Sequence, residues 1–316
     1  MNAVTRVGAF GAGVAIAFGA AFGIGRVADL GMPRAEGAGA GVAEDHGHGD
    51  AETPPSGGSH ATAGNHGTTE EQTAAPTGLS ATDQGYRLVL DADTAVASAS
   101  AVLRFRVLDP SGRALTAYTT RHEKQLHLIV VRRDLTGYQH VHPTLAADGS
   151  WATTVDLHRP GQWRVLADFD PAGDIPPLVL GTDLAVPGNY SPVAVADGDD
   201  SVTVDGYSVR RTGNLSPTAA NPVAFTVART DGAPVDLQTY LGADGHLVVL
   251  RAGDLAYAHA HPVTAASDMG AGAQGMAFSV ETPGAGAYRL FFEFDDAGRV
   301  HTATFTAQAG GTGHGG

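Results

Sequence analysis

Three histidines recur twice in this sequence at one spacing. The first set is His127, in His127-Leu-Ile-Val-Val-Arg132, with His140 and His142, in His140-Val-His142-Pro143. The second is His246, in His246-Leu-Val-Val-Leu-Arg251, with His259 and His261, in His259-Ala-His261-Pro262. Both read H-x12-H-x-H-P. Neutral imidazole is a ligand for divalent transition metals. Three rings crowded on one small face are costly unless a metal, a carboxylate or deprotonation relieves them. An acid also recurs in a later apolar segment of each copy, Asp168 before Phe169 and Glu293 before Phe294. Each acid suits a ligand role, a role holding a ligand's outer nitrogen, or pairing with Arg164 or Arg289 in a strand ladder. His301 has no counterpart in the first copy and would add a ligand to the second set alone, while His122 belongs only to the first copy and His158 sits beside a Pro-Gly turn.

Strands must position these rings. Short β-branched and aromatic runs, such as Tyr86 to Leu90, Val102 to Leu108, Leu126 to Val131 and Trp163 to Phe169, are separated by turn signals at Asp109-Pro-Ser-Gly112, Ala147-Asp-Gly149 and Pro160-Gly161. Residues two apart on a strand share a face, so His140 and His142 point the same way. A hairpin centred on Asp134-Leu135 sets His127 directly opposite His142, with His140 as its diagonal neighbour. A hairpin centred on Gly253-Asp254 does the same for His246, His261 and His259. Opposed Cβ atoms lie ~5 Å apart and diagonal ones ~7–8 Å, within reach of one metal bound at ~2.0–2.1 Å. An odd-length loop or a bulge would reverse the face of His127 or His246. Gly253-Asp254 suits a two-residue turn, whereas Asp134-Leu135 does not, so the first hairpin calls for a longer even loop.

The strand runs of the first copy are retraced over 201–205, 222–229, 246–251, 276–280, 287–294 and 300–305, and no comparable stretch has a helical period. The expected fold is all-β: two tandem immunoglobulin-like (Greek-key) β-sandwich domains over residues 81–187 and 188–307. The linker from Pro187 to Asp200 is short enough to keep the domains close, which leaves open a site shared between them. Before them, the uncharged run Val7 to Ile24, flanked by Arg6 and Arg26, predicts an N-terminal membrane anchor or signal segment within residues 1–30. Either reading puts the rest of the chain outside the cytoplasm. Residues 31–80, rich in Gly, Ala, Pro, Ser and Thr, read as a disordered tether, and residues 308–316 as a disordered tail. The histidines scattered there, His46, His48, His60, His66 and His314, would collect metal weakly or be incidental.

A formal charge of −14 argues against a nucleic-acid partner. With no cysteine, any metal must be held by nitrogen or oxygen. A G-x-S-x-G elbow, an H-E-x-x-H helix and a phosphate loop are all absent, so the sequence predicts a protein that is not an enzyme, although three histidines with an open position also describe a hydrolytic zinc site.

The His-x-His-Pro element after a His-Leu-Ile-Val-Val strand, together with Pro160-Gly-Gln-Trp-Arg164 and its echo Gly286-Ala-Tyr-Arg289, resembles actinobacterial secreted proteins related to YtkA-like and CopC-like immunoglobulin-like domains. The resemblance covers roughly residues 83–307 and implies handling of copper or other heavy metals outside the cytoplasm. The chain departs from a methionine-rich copper(I) site, since Met1, Met32, Met269 and Met276 are its only methionines. Imidazole and carboxylate donors suit copper(II), with zinc or nickel as alternatives. The expectation is one metal per domain, in a membrane-tethered protein that buffers or delivers the ion, with an envelope metal-handling protein as its partner. The competing expectation is a tethered immunoglobulin-like module that binds an envelope or protein partner and whose histidines are structural.

Overall fold

Leu126-His-Leu-Ile-Val-Val-Arg132 lacks the polar alternation of a half-exposed strand, and every residue in it is buried. A strand reads this way when both of its faces are covered. The computed structural model, describing residues 76–310 apart from residue 197 and residues 240–244 and 264–273, shows what covers them.

The first repeat holds β1 (Thr82–Asp83), β2 (Tyr86–Leu90), β3 (Ala101–Leu108), β4 (Tyr118–Thr119), β5 (Leu126–Arg132), β6 (Gln139–Val141), β7 (Thr144–Leu145), β8 (Ser150–Val155), β9 (Gly161–Pro171) and β10 (Leu178–Val186). They form two antiparallel sheets, ordered β1-β2-β3-β8-β7 and β10-β9-β5-β6, with β4 on β9. Phe105, Val107 and Trp151 of one sheet meet Leu128, Val130, Trp163 and Val165 of the other in a sandwich core.

The second repeat holds β11 (Ser201–Val204), β12 (Tyr207–Thr212), β13 (Asn221–Arg229), β14 (Leu237–Gln238), β15 (His246–Arg251), β16 (Tyr257–Val263), β17 (Gln274–Glu281), β18 (Gly286–Asp296) and β19 (Arg299–Ala309). Its core is built from Phe225, Phe278, Phe292, Phe294 and Phe305. Here the two halves are continuous, because β16 pairs with both β15 and β17. The protein is thus all-β, two tandem immunoglobulin-like sandwiches, with no helix among the described residues.

A third apolar cluster joins the repeats. Ile129, Val131, Leu135 and Leu166 of the first meet Val248, Leu250, Leu255 and Phe291 of the second. These are equivalent positions of the two copies, so the contact is nearly self-complementary, as in a two-fold dimer. Tyr138 stacks on Phe291 with ring centroids 3.9 Å apart, while its counterpart Tyr257 lies in the cluster with Leu166. Arg133 adds hydrogen bonds to the carbonyls of Gly253 and Asp254.

Two expected boundaries move. Thr77 pairs with Tyr257 of the second repeat, and Gly78 donates to the Val179 carbonyl of the first. The chain is therefore ordered from there by backbone pairing, and the tether does not extend to residue 80. Likewise β19 runs through Ala309, which packs in the second core, so residue 308 does not begin a tail. The predicted anchor and most of the tether lie outside the described residues; among the described residues no helix is long and apolar enough to cross a membrane.

Candidate metal centre

The first hairpin has the expected register. Leu128 pairs with Val141, Ile129 with His140 and Val130 with Gln139, and this alignment carried one step outward puts His127 opposite His142. The loop is long, as expected, and Leu135 takes a positive φ of 61°. His127 then alternates with Ile129 and Val131 on the face turned to the second repeat, while Leu128 and Val130 enter the first core.

Three ring nitrogens converge. His127 Nδ1 lies 3.0 Å from His140 Nε2 and 3.3 Å from His142 Nε2. The donor atoms of the trio all lie within 4.8 Å of one another, the one such cluster among the described residues. Ligands bound at ~2.0–2.1 Å with angles of roughly 95–110° between them stand at such separations as these first two. The outer nitrogens fix the tautomers. His127 Nε2 is 3.1 Å from the Arg121 carbonyl, which can only accept, so this nitrogen carries the proton. His140 Nδ1 lies 2.7 Å from Glu293 Oε2 and donates to that carboxylate. Both inner nitrogens therefore turn lone pairs toward each other. Only a cation between them, a proton or a metal ion, makes that arrangement favourable. Burial, foremost, and the neighbouring His140 bring His127 down to about 4 and His142 down to about 3, so neither of these two rings holds a second proton at neutral pH.

Glu293 comes from the second repeat. Its backbone pairs with His246, yet its carboxylate reaches across the interface to His140. His246 itself joins the first set: its ring stacks on His127 at 5.5 Å and on His140 at 4.9 Å. Burial, then the imidazoles around it, hold His246 well below its ordinary range.

The donor nitrogens of the second trio do not converge as those of the first do. Val249 pairs with Ala258 and Leu250 with Tyr257, the expected register. The turn is nevertheless a four-residue loop, closed by Arg251 N–H donating to the Ala256 carbonyl, with Leu255 at φ 66° and not the two-residue turn that Gly253-Asp254 suggests. Beyond Ala258, β16 leaves β15 for β17, where His259 pairs with Glu281 and His261 with Ser279. In the first repeat, β6 stays on β5 through Val141, and β7 joins β8 only after Pro143. Changing sheets earlier carries His259 and His261 away from their expected place opposite His246. They line instead a cavity of about 20 Å³ with Arg121, His122, His127, Asp168, His246 and Tyr257.

The remaining candidates are placed as follows. Asp168 pairs with Arg121 and accepts from Tyr257 Oη at 3.3 Å, so it is neither one of the converging donors nor the partner of Arg164, which pairs with Asp183. His301 is buried beside Tyr207 and Phe294 and bonds Asp205 at 2.9 Å, so it serves the second sandwich. Arg289 donates to Thr306 Oγ1 and not to Glu293. Met276 is part of the second core, and Met269 lies outside the described residues. Arg121, Tyr257 and a role for His122 at this site were not legible in the sequence. His122 sits 5.6 Å from His246 and 6.1 Å from His127 by ring centroids, and its positive φ of 48° belongs to a tight turn that no motif announces.

The fold and site define a protein of two β-sandwiches with a partly buried histidine cluster between them. The chain belongs to the family described as Domain of unknown function (DUF8832), which matches residues 80–177 and 202–311, one span over each repeat. No curated protein matches. Among solved structures, the chain is similar to the Escherichia coli adhesin FdeC at 15% identity and a TM-score of 0.24, covering 73% of this chain and 65% of that one. Yersinia pseudotuberculosis InvD is similar at 12% identity and a TM-score of 0.22, over 72% of this chain and 58% of that one. A putative membrane anchored protein from Corynebacterium diphtheriae is similar at 11% identity and a TM-score of 0.22, covering 72% of this chain and 59% of that one. The chain thus spans less than two thirds of the length of each.

Proposed function

We propose that this protein binds one divalent transition-metal ion between its repeats, held by His127 Nδ1, His140 Nε2 and His142 Nε2. The observation that carries the proposal is the convergence of inner ring nitrogens whose outer N–H groups are already committed to Arg121 and Glu293. A carboxylate or carbonyl on the far nitrogen is the usual support of a metal-bound imidazole: it fixes the tautomer and raises ligand basicity. With nitrogen donors and no thiolate, copper(II) is the ion bound most tightly, and zinc or nickel are the alternatives. The role we propose is extracytoplasmic metal buffering, delivery or resistance, with the N-terminal apolar run as membrane attachment and an envelope metal-handling protein as partner. The resemblance to YtkA-like and CopC-like domains supports this through the same His-x-His-Pro residues. The site is proposed as one of binding and not of turnover.

Calorimetric titration of copper(II) and of zinc into the full chain tests the proposal beside His127→Ala/His142→Ala. Weak binding by the N-terminal histidines is common to both proteins and cancels in the comparison. The expected result is one tight site per chain that disappears in the variant. Equal titrations for the two proteins would leave the competing reading, a tethered interaction module with structural histidines. Adhesin and membrane-anchored structures are among those named above, but at their TM-scores the likeness carries no functional argument.

A further inference from the structure

The second His-x-His-Pro motif is left over by the proposed centre, yet it lies against it. His259 and His261, with His122, His246 and Asp168, line a cavity of about 20 Å³ whose wall also includes His127, a ligand of that centre. By the same measure one water needs ~10–15 Å³, so the cavity has room for a single water or ion. Half of its ten lining residues are histidines. His261 is solvent-exposed and His259 half-buried, while His246, on the same cavity, stacks on both His127 and His140, so the cavity lies between exposed imidazole and the converging nitrogens. Asp168 adds a carboxylate, and the Arg121 guanidinium beside it is offset by Asp168 and Asp170 together. On the other side of His142 lies an open cleft of about 420 Å³, lined by Glu123, Lys124, Gln125, Pro143 and Trp151, in which His142 is the sole imidazole.

We propose that His259 and His261 form the loading route of the centre, a transient acceptor site that takes a hydrated divalent metal ion from solvent and passes it by His246 to His127, His140 and His142. This rests on the metal reading above. An ion shedding its waters in steps needs replacement donors at each one, and the cavity supplies nitrogen where the cleft supplies almost none. A route lowers a barrier and leaves both end states alone, so removing it must slow loading and release alike.

The test is stopped-flow mixing of copper(II) with the metal-free full chain, followed by tryptophan quenching, with release measured on challenge with excess chelator. In His259→Gln/His261→Gln, both rates are expected to fall about tenfold, the lower end of what local enrichment of an ion in a polar cleft supplies, with Kd unchanged. His261→Gln alone, at an exposed position, gives a smaller fall in both rates. Unchanged rates in the double variant would overturn the proposal and direct the ion through the cleft beside His142. A weakened Kd at an unchanged loading rate would also overturn it, by making these residues ligands or structural supports. A native chain that takes up no copper(II) would instead sink the metal reading on which the route depends.

Discussion

At the scale of single residues, the centre depends on how the far sides of the His127 and His140 rings are held. Glu293 accepts from His140 at 2.7 Å across the repeat interface. Glu293→Gln keeps the shape and removes the charge, and should weaken metal affinity about 10–100-fold, as loss of such outer partners does; competition against a calibrated chelator would measure it. A different residue contributes to acid stability. Asp296 accepts from Tyr207 Oη at 2.5 Å and from Arg229 at 2.9 Å, and the tyrosine hydrogen bond, foremost, holds its carboxyl below the usual range. A carboxyl lowered by folding contributes its full stability above its unfolded pKa of ~3.9 and loses it as pH falls through the lower folded value. Asp296→Asn should cost about 1–3 kcal/mol at neutral pH and should flatten the acid limb of stability below ~pH 4. Urea melts at pH 7 and pH 3 would show the gap between variant and native chain narrowing; a gap independent of pH would refute the assignment.

At the scale of elements, the decisive one is the β5–β6 hairpin with the sheet face it presents. Its length of pairing, three residue pairs through Val141, delivers His142 before Pro143 turns the chain to the other sheet. The equivalent hairpin gives up its pairing after Ala258, and the same three residue types end elsewhere. The face between the repeats is held chiefly by aromatic and branched side chains, with Phe291 2% exposed and stacked on Tyr138. Phe291→Ala leaves a cavity there and should cost about 3–5 kcal/mol. It should weaken metal binding as well, since Glu293 lies two residues along the same strand face. Denaturant melts and metal titration of one variant check both, and a stability loss with native affinity would mean that the centre does not depend on this packing.

For the whole molecule, the histidine cluster and apolar interface shared by the repeats predict that they unfold as a single thermodynamic unit. Metal that binds only the folded form stabilises it by about 2.7 kcal/mol at a free concentration of 100 times Kd. Scanning calorimetry is expected to show one unfolding transition that moves upward as a whole on adding copper(II). Two transitions, of which only one moves, would show that the repeats unfold separately and that the metal belongs to one of them.

The sequence by itself determined the strands, the repeat and the register of the first hairpin, because period-two alternation and turn position are local properties of the chain. That Leu126–Arg132 is covered on both faces was decided by the structure, in which every residue of that strand is buried. What the sequence could not determine was which surface covers the outer face, and so it assigned one site to each repeat. That was decided by tertiary structure: equivalent apolar positions of the two copies pack on each other, and packing them brings Glu293 and His246 of one repeat onto His140 and His127 of the other. The fate of the second trio was likewise beyond local reading. How far β16 follows β15 before joining β17 is set by competition between two sheets for one strand, and both offer it backbone hydrogen bonds of the same kind.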